Sequence, residues 1–254
     1  AARVAAGAIC RRLLEEFNMK FHSHVVSIGG ESAKPASPID WKKVESSPVR
    51  CADAESETRM INAISRAKED GDTLGGVVQV ILDNVPIGLG SHVQWDRRID
   101  GKLAQALMSI NAVKGVAIGD GWDGANERGS KVHDVIQKFD KRKKAWTRLS
   151  NRAGGTEGGM TNGMPLVVNF ALKPISTLSK PLPSIDLITG KKVQAHYERS
   201  DVCVVPAAGV VGEAMVGLVV ADLFMEKFGG DHVKETSRNL EGYIKSLGPR
   251  ETQN

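Results

Sequence analysis

Aromatic residues make up only 5% of this 254-residue chain, and cysteine occurs three times. Cys10, Cys51 and Cys203 are odd in number, widely spaced and outside any CxxC or Cys/His pattern. That excludes a disulfide framework and a zinc site, and points to a reduced, cytoplasmic setting. The six histidines show no metal-ligand spacing either. His22 and His24 share one face of an expected strand but have no carboxylate or thiol beside them, so a structural role is the better account and no metal is expected. No signal peptide is visible. The chain opens on Ala1-Ala2-Arg3-Val4-Ala5-Ala6, already helical in composition and without an initiator Met, as expected of a chain that begins inside a longer protein.

What is present is ordinary for a globular protein, with 41% hydrophobic and 25% charged residues. The length allows one large domain or two small ones, either of which buries a sizeable core. The 27 glycines suit tight turns and places where backbone must approach a ligand. A net charge of +4 fits an anionic small molecule as well as nucleic acid, and decides little. The most apolar stretch, Val202 to Phe228, is long enough to suggest a membrane span. Pro206 near its start, and Glu213, Asp222 and Glu226 within it, would be costly in hydrocarbon, so a buried helix is the better reading and no membrane partner is expected.

Residues 1–17 read as a helix, with Arg11, Arg12, Glu15 and Glu16 on its polar side. Phe21 to Ile28 is β-branched in character and is ended by Gly29-Gly30. Residues 31–48, with three prolines and several serines, read as a loop. From Ala54 to Asp70, Met60, Ile61, Ile64 and Ala67 recur at helical spacing. Leu74 to Val85 is a strand closed by Pro86. Asp100 is expected to cap a helix through Leu103, Leu107 and Met108, followed by a strand from Val113 to Ile118. Residues 119–163 are polar and Gly-rich without periodicity. Strands are expected at Leu166–Leu172 and Ile185–Thr189, then the apolar helix, then a polar tail from 232 to 254. Helices and strands alternate without a clean βαβ rhythm or a detectable repeat, which points to an α+β or layered α/β protein; α+β, as a single domain over 1–254, is the reading adopted.

Two motifs carry less than they first suggest. Gly119-Asp120-Gly121-Trp122-Asp123-Gly124 matches G-x-G-x-x-G after a strand, but its two aspartates would repel a pyrophosphate. Ala125 to Ser130 offers no apolar helix face to follow it. Lys141-Arg142-Lys143-Lys144, with Trp146, Arg148 and Arg152, could form a nucleic-acid patch. No stacking platform of several aromatics accompanies it, so a solvated surface loop is the better account and no nucleic acid is expected.

The sharpest signal runs from Arg199-Ser200-Asp201-Val202-Cys203 to Val210-Val211-Gly212-Glu213-Ala214-Met215. Here the sequence resembles the C-terminal signature of the chorismate synthase family, which opens Arg-(Ser/His)-Asp and places a Glu in the following helix. Gly154-Gly155-Thr156-Glu157-Gly158-Gly159-Met160-Thr161-Asn162-Gly163, Lys173-Pro174-Ile175-Ser176-Thr177 and Met108-Ser109-Ile110-Asn111-Ala112-Val113-Lys114-Gly115 agree with it. The resemblance implies a layered β-α-β sandwich, represented here by its C-terminal two-thirds. It also implies an FMN-dependent anti-1,4-elimination of phosphate from 5-enolpyruvylshikimate 3-phosphate to give chorismate, in the shikimate pathway of aromatic amino-acid biosynthesis. Reduced FMN, supplied by a flavin reductase or NADPH, and a homotetramer belong to the same implication.

By similarity, FMN contacts fall on Asn111, Ala112, Gly158, Lys173, Pro174, Ile175, Ser176, Thr177 and Arg199, and Arg199 also meets substrate. Asp201 matches the aspartate placed to take a proton at flavin N5. Each has a simpler reading: Gly158 closing a turn, Lys173 a surface lysine, Arg199 and Asp201 an ion pair. On extended chain, Arg199 and Asp201 would face one side, one holding an anion while the other accepts a proton.

The chain also departs from the family. Its Gly-(Asp/Glu)-Ser-His-Gly motif, a second catalytic histidine, several substrate-binding arginines and the Ser-Ala-Arg-Glu-Thr segment are absent. Ala117 stands where Glu is usual, and Gln94 where His is common. These 254 residues alone are therefore expected to be inactive. A non-catalytic flavin-binding or assembly module on the same scaffold is the alternative.

Overall fold

The computed structural model describes residues 1–249, apart from Ala36 and Lys143. Its elements are α1 (Ala2–Glu15), β1 (Lys20–Ile28), β2 (Glu31–Ser32), α2 (Trp41–Ser46), α3 (Ala54–Glu69), β3 (Gly76–Asp83), α4 (Ile99–Met108), β4 (Val113–Ile118), α5 (Gly121–Ala125) and α6 (Gly129–Val132). They continue with β5 (Ile136–Asp140), β6 (Ala145–Arg148), β7 (Thr156–Glu157), β8 (Met160–Thr161), β9 (Leu166–Leu172), β10 (Pro183–Ile185), β11 (Lys192–Gln194), α7 (Val205–Phe228) and α8 (Val233–Lys245).

The main sheet has strand order β2-β1-β3-β9-β4, with every neighbouring pair antiparallel. Alternation along β1, β3 and β9 sends Phe21, Ser23, Val25, Val78, Val80, Leu82, Leu166, Val168, Phe170 and Leu172 into the core. On that face lies a helical layer built around α7, which contacts α1, α4, β1 and β3. Gly212 lets α7 sit close to the sheet, since a Cβ there would fall 2.7 Å from the Phe170 ring. The fold is α+β as the sequence predicts, with one sheet layer and one helix layer supplied by this chain.

α7 is long and apolar enough to cross a membrane, yet 61% of its most apolar window is buried inside the protein. Within α7, Glu213 is nearly buried and accepts from Arg11 Nη1 at 2.6 Å and Ser23 Oγ at 2.6 Å. A buried carboxylate needs such partners to offset its desolvation.

On the other face of the sheet, His22 stacks on Trp41 with ring centroids 4.3 Å apart. His24 Nε2 lies 3.1 Å from Gln79 Oε1, and the Gln79 amide donates to Asn169 Oδ1 at 2.9 Å. Burial pushes the His24 ring below its ordinary pKa, which suits a neutral structural partner. Among the described residues no cluster of His, Cys, Asp or Glu could hold a metal.

Several expectations need correction. Residues 31–48 are not wholly loop: β2 pairs with β1, and Asp40 caps α2 by accepting from Lys42 N and Lys43 N. Arg98, not Asp100, holds the N-cap position of α4; Asp100 sits in the first turn and pairs with Arg98 at 2.7 Å. The strand expected at Ile185–Thr189 ends at Ile185, because Asp186 Oδ1 accepts from Ile188 N and Thr189 N and turns the chain into β11. The expected tail contains α8, begun by His232 Nδ1 accepting from Lys234 N at 3.1 Å; residues 250–254 lie outside the described residues.

Lys141, Arg142 and Lys144 sit between β5 and β6, and Lys143 lies outside the described residues. Trp146 packs on Phe139, Arg152 pairs with Asp120 at 3.0 Å, and the Arg148 side chain is 7% exposed and pairs with Glu157. A helix does follow Gly119-Asp120, but it ends after five residues at Ala125, too short to support a dinucleotide site.

Candidate active site

The connection from α4 to β4 turns through Asn111 and Ala112. Ala112 adopts φ +68°, a left-handed conformation uncommon for a residue with a Cβ. Strain of this kind persists where surrounding contacts hold it. Here the Ala112 carbonyl accepts from Lys173 N at 2.9 Å. That bond joins the Asn111–Ala112 turn to the segment Lys173–Thr177, which follows β9.

A second bond brings in the third segment. Ser200 Oγ donates to Thr177 O at 3.0 Å, placing Arg199, Ser200 and Asp201 beside the same loop. Lys173, Ser176, Arg199 and Asp201 are all exposed, and none of these side chains has a hydrogen-bond or ion-pair partner among the described residues. Two cations, a hydroxyl and a carboxylate therefore converge at one end of the sheet with their bonding capacity unused. Burial pushes the neighbouring Cys203 thiol above its ordinary pKa, so it stays a protonated thiol at neutral pH.

Two expectations change. Arg199–Asp201 forms no strand and pairs with no other segment as a ladder, so alternation is not what brings it to the site. Nor do Arg199 and Asp201 form an ion pair with each other. Gly158 is separated from the rest: it sits in the β7–β8 turn, and Gly159 next to it accepts from Ile99 N at the start of α4. Gly154 O accepts from Val167 N and Gly155 lies against Leu166, at the end of the sheet opposite Lys173, and the seven residues of β9 span about 20 Å.

The sequence reading missed residues 71–75. Thr73 Oγ1 donates to Ile175 O at 2.6 Å, and Leu74 N donates to Val202 O at 2.8 Å. Gly75 approaches the same place so closely that a Cβ would fall 2.2 Å from Leu172 O. Only the strand onset at Leu74 marked this stretch in the sequence; its contacts are about a hundred residues away.

A surface groove of about 300 Å³ beside Arg11, Lys20 and His22 is lined by none of these segments. Another, about 390 Å³, runs along α4 and α7 and reaches Ser109, two residues before Asn111.

Residues 1–225 match the family profile described as chorismate synthase. The chain belongs to the chorismate synthase family. It is 51% identical over 252 residues to the chorismate synthase of Solibacter usitatus, covering 97% of this chain and 64% of that one. It is 52% identical to the chorismate synthase of Thermobifida fusca, with 97% and 63% covered. A chorismate synthase crystal structure superposes with a TM-score of 0.81 at 43% identity, over 97% of this chain and 69% of that one. The chain thus spans somewhat under two-thirds of the length of these curated relatives.

The chorismate synthase family implies FMN, and the residues present are chemically suited to part of it. A flavin phosphate needs cations and hydroxyl donors that are not already paired, which Lys173, Arg199 and Ser176 are. The Ala112 turn places backbone, with no side chain beyond a methyl group, next to Lys173.

Proposed function

We propose that this chain carries the flavin- and substrate-facing C-terminal part of a chorismate synthase, a lyase that eliminates phosphate from 5-enolpyruvylshikimate 3-phosphate to give chorismate. The observation that carries the reading is the convergence of Asn111–Ala112, Lys173–Thr177 and Arg199–Asp201 through two hydrogen bonds, with their ionic side chains unpaired among the described residues.

The 1,4-elimination breaks a carbon–oxygen bond to phosphate and removes a proton across the ring, forming a new carbon–carbon double bond. Reduced FMN, when bound, supplies transient electron donation with no net redox change. Lys173 and the hydroxyls of Ser176 and Thr177 bind flavin oxygens. Arg199 contacts the flavin and also holds a substrate anion, and its guanidinium is suited to two-point recognition of a carboxylate or phosphate. Asp201 accepts the proton at flavin N5. The same reading implies reduced FMN from a flavin reductase or NADPH, a homotetramer, and a cytoplasmic setting.

FMN titration by fluorescence tests the assignment. Lys173→Ala and Arg199→Ala are each expected to weaken FMN binding by about 10-fold or more, the worth of a hydrogen bond to a charged group. Affinity equal to the parent in both variants would show that neither side chain touches the flavin.

A further inference from the structure

The two segments that supply charge to the proposed site, Lys173–Thr177 and Arg199–Asp201, are joined to each other by one exposed hydrogen bond, Ser200 Oγ to Thr177 O. What holds both in place is a third segment from a distant part of the chain. Gly71 O accepts from Lys180 N at 3.1 Å, Thr73 Oγ1 donates to Ile175 O at 2.6 Å, and Leu74 N donates to Val202 O at 2.8 Å. Leu74 also bridges Cys203 in parallel register. Residues 71–75 therefore form a spine with one site segment fastened on each side.

Thr73 is the side chain in this spine best placed to matter. It is 6% exposed, and its hydroxyl makes a short bond to the carbonyl in the middle of Lys173–Thr177. That carbonyl belongs to Ile175, two residues from the Lys173 ammonium. A loop carbonyl tied from below fixes the direction in which the neighbouring groups point outward. The spine continues into β3 at Gly76, so the tie refers the loop to the rigid sheet rather than to another loop.

We propose that Thr73 is a positioning residue for the flavin site: its buried hydroxyl sets the loop Lys173–Thr177 at the distance from Arg199–Asp201 that FMN binding requires. This inference rests on the flavin reading above. Thr73 need not touch flavin or substrate; it acts through Ile175. Thr73→Val keeps the side-chain shape, removes the donor and leaves the Ile175 carbonyl without it. Thr73→Ser keeps the donor.

The test is FMN titration in the parent chain, Thr73→Val, Thr73→Ser and Lys173→Ala, with thermal unfolding recorded for each and titrations made well below every midpoint. Thr73→Val is expected to raise the Kd about 3- to 10-fold, the worth of one neutral hydrogen bond, with Thr73→Ser at the parent value. If Thr73→Val fails to fold, Thr73→Ala removes the hydroxyl without adding a buried methyl and is expected to give the same loss. Parent-like binding by the hydroxyl-deleted variant, with binding weakened in Lys173→Ala, overturns the positioning role and leaves the flavin site standing. A Thr73→Ser variant as weak as Thr73→Val also overturns it, because the hydroxyl would then not be the cause. A melting temperature that falls with unchanged Kd marks Thr73 as structural only. Parent-like binding in Lys173→Ala overturns the flavin reading itself.

Discussion

Asp201→Asn slows turnover by at least about 10²-fold, the lower end for a lost acid–base group, while FMN and substrate bind nearly as in the parent. The assay requires a protein that carries this chain and turns over, supplied with reduced FMN under anaerobic conditions. The expectation follows from the side chain's surroundings. Asp201 is exposed and forms no hydrogen bond or ion pair with a described residue, so its carboxylate is not committed to holding the fold. Its neighbours fix the backbone instead: Ser200 Oγ reaches Thr177 O, and Val202 O accepts from Leu74 N. Replacing the carboxylate by an amide of the same shape leaves those bonds intact and removes only the basicity. A variant that unfolds or loses FMN would assign Asp201 to structure. Unchanged turnover would remove it from the chemistry.

Phe170→Ala has the largest expected effect on stability, a loss of about 3–5 kcal/mol in denaturant unfolding. Phe170 is fully buried on the interior strand β9, between β3 and β4. Its ring meets Gly212, where α7 passes closest to the sheet, and Val80 Cγ2 faces the same glycine. Truncation leaves a cavity that the helix cannot fill, because Gly212 has no side chain to move into it. For a chain of this size the midpoint should fall by roughly 6–20 °C. A loss below about 1 kcal/mol would mean that the helix and sheet are not packed through this contact.

The elements that the sequence showed clearly are those whose apolar residues do the packing. β9 reads as an apolar run, Leu166 to Leu172, whose burial alternates in the fold, and α3 is signalled by Met60, Ile61, Ile64 and Ala67; the Asp53 cap, which accepts from Ser56 N at 2.8 Å, emerges only in the structure. α8 was hidden because its packing face is largely polar. Thr236 donates to Gly229 O and Asn239 donates to Phe228 O, and the apolar contacts with the core come from Leu240 and Tyr243, near the C-terminal end of the helix. The residues of the candidate site were legible through the family resemblance, but their arrangement was not. Thr73 and Leu74 meet Ile175 and Val202 across more than a hundred residues, and no local periodicity encodes such a contact. Gly158 shows the converse: it lies in the motif order of the family, yet the length of β9 separates it from Lys173.

Hydrogen exchange along the backbone, read by mass spectrometry with and without FMN, tests the convergence of these segments most directly. The prediction is that FMN slows exchange together at residues 109–113, 172–178 and 198–203. No change at 172–178 and 198–203 while FMN is demonstrably bound would contradict it, and protection confined to 154–163 would place the flavin at the other end of the sheet.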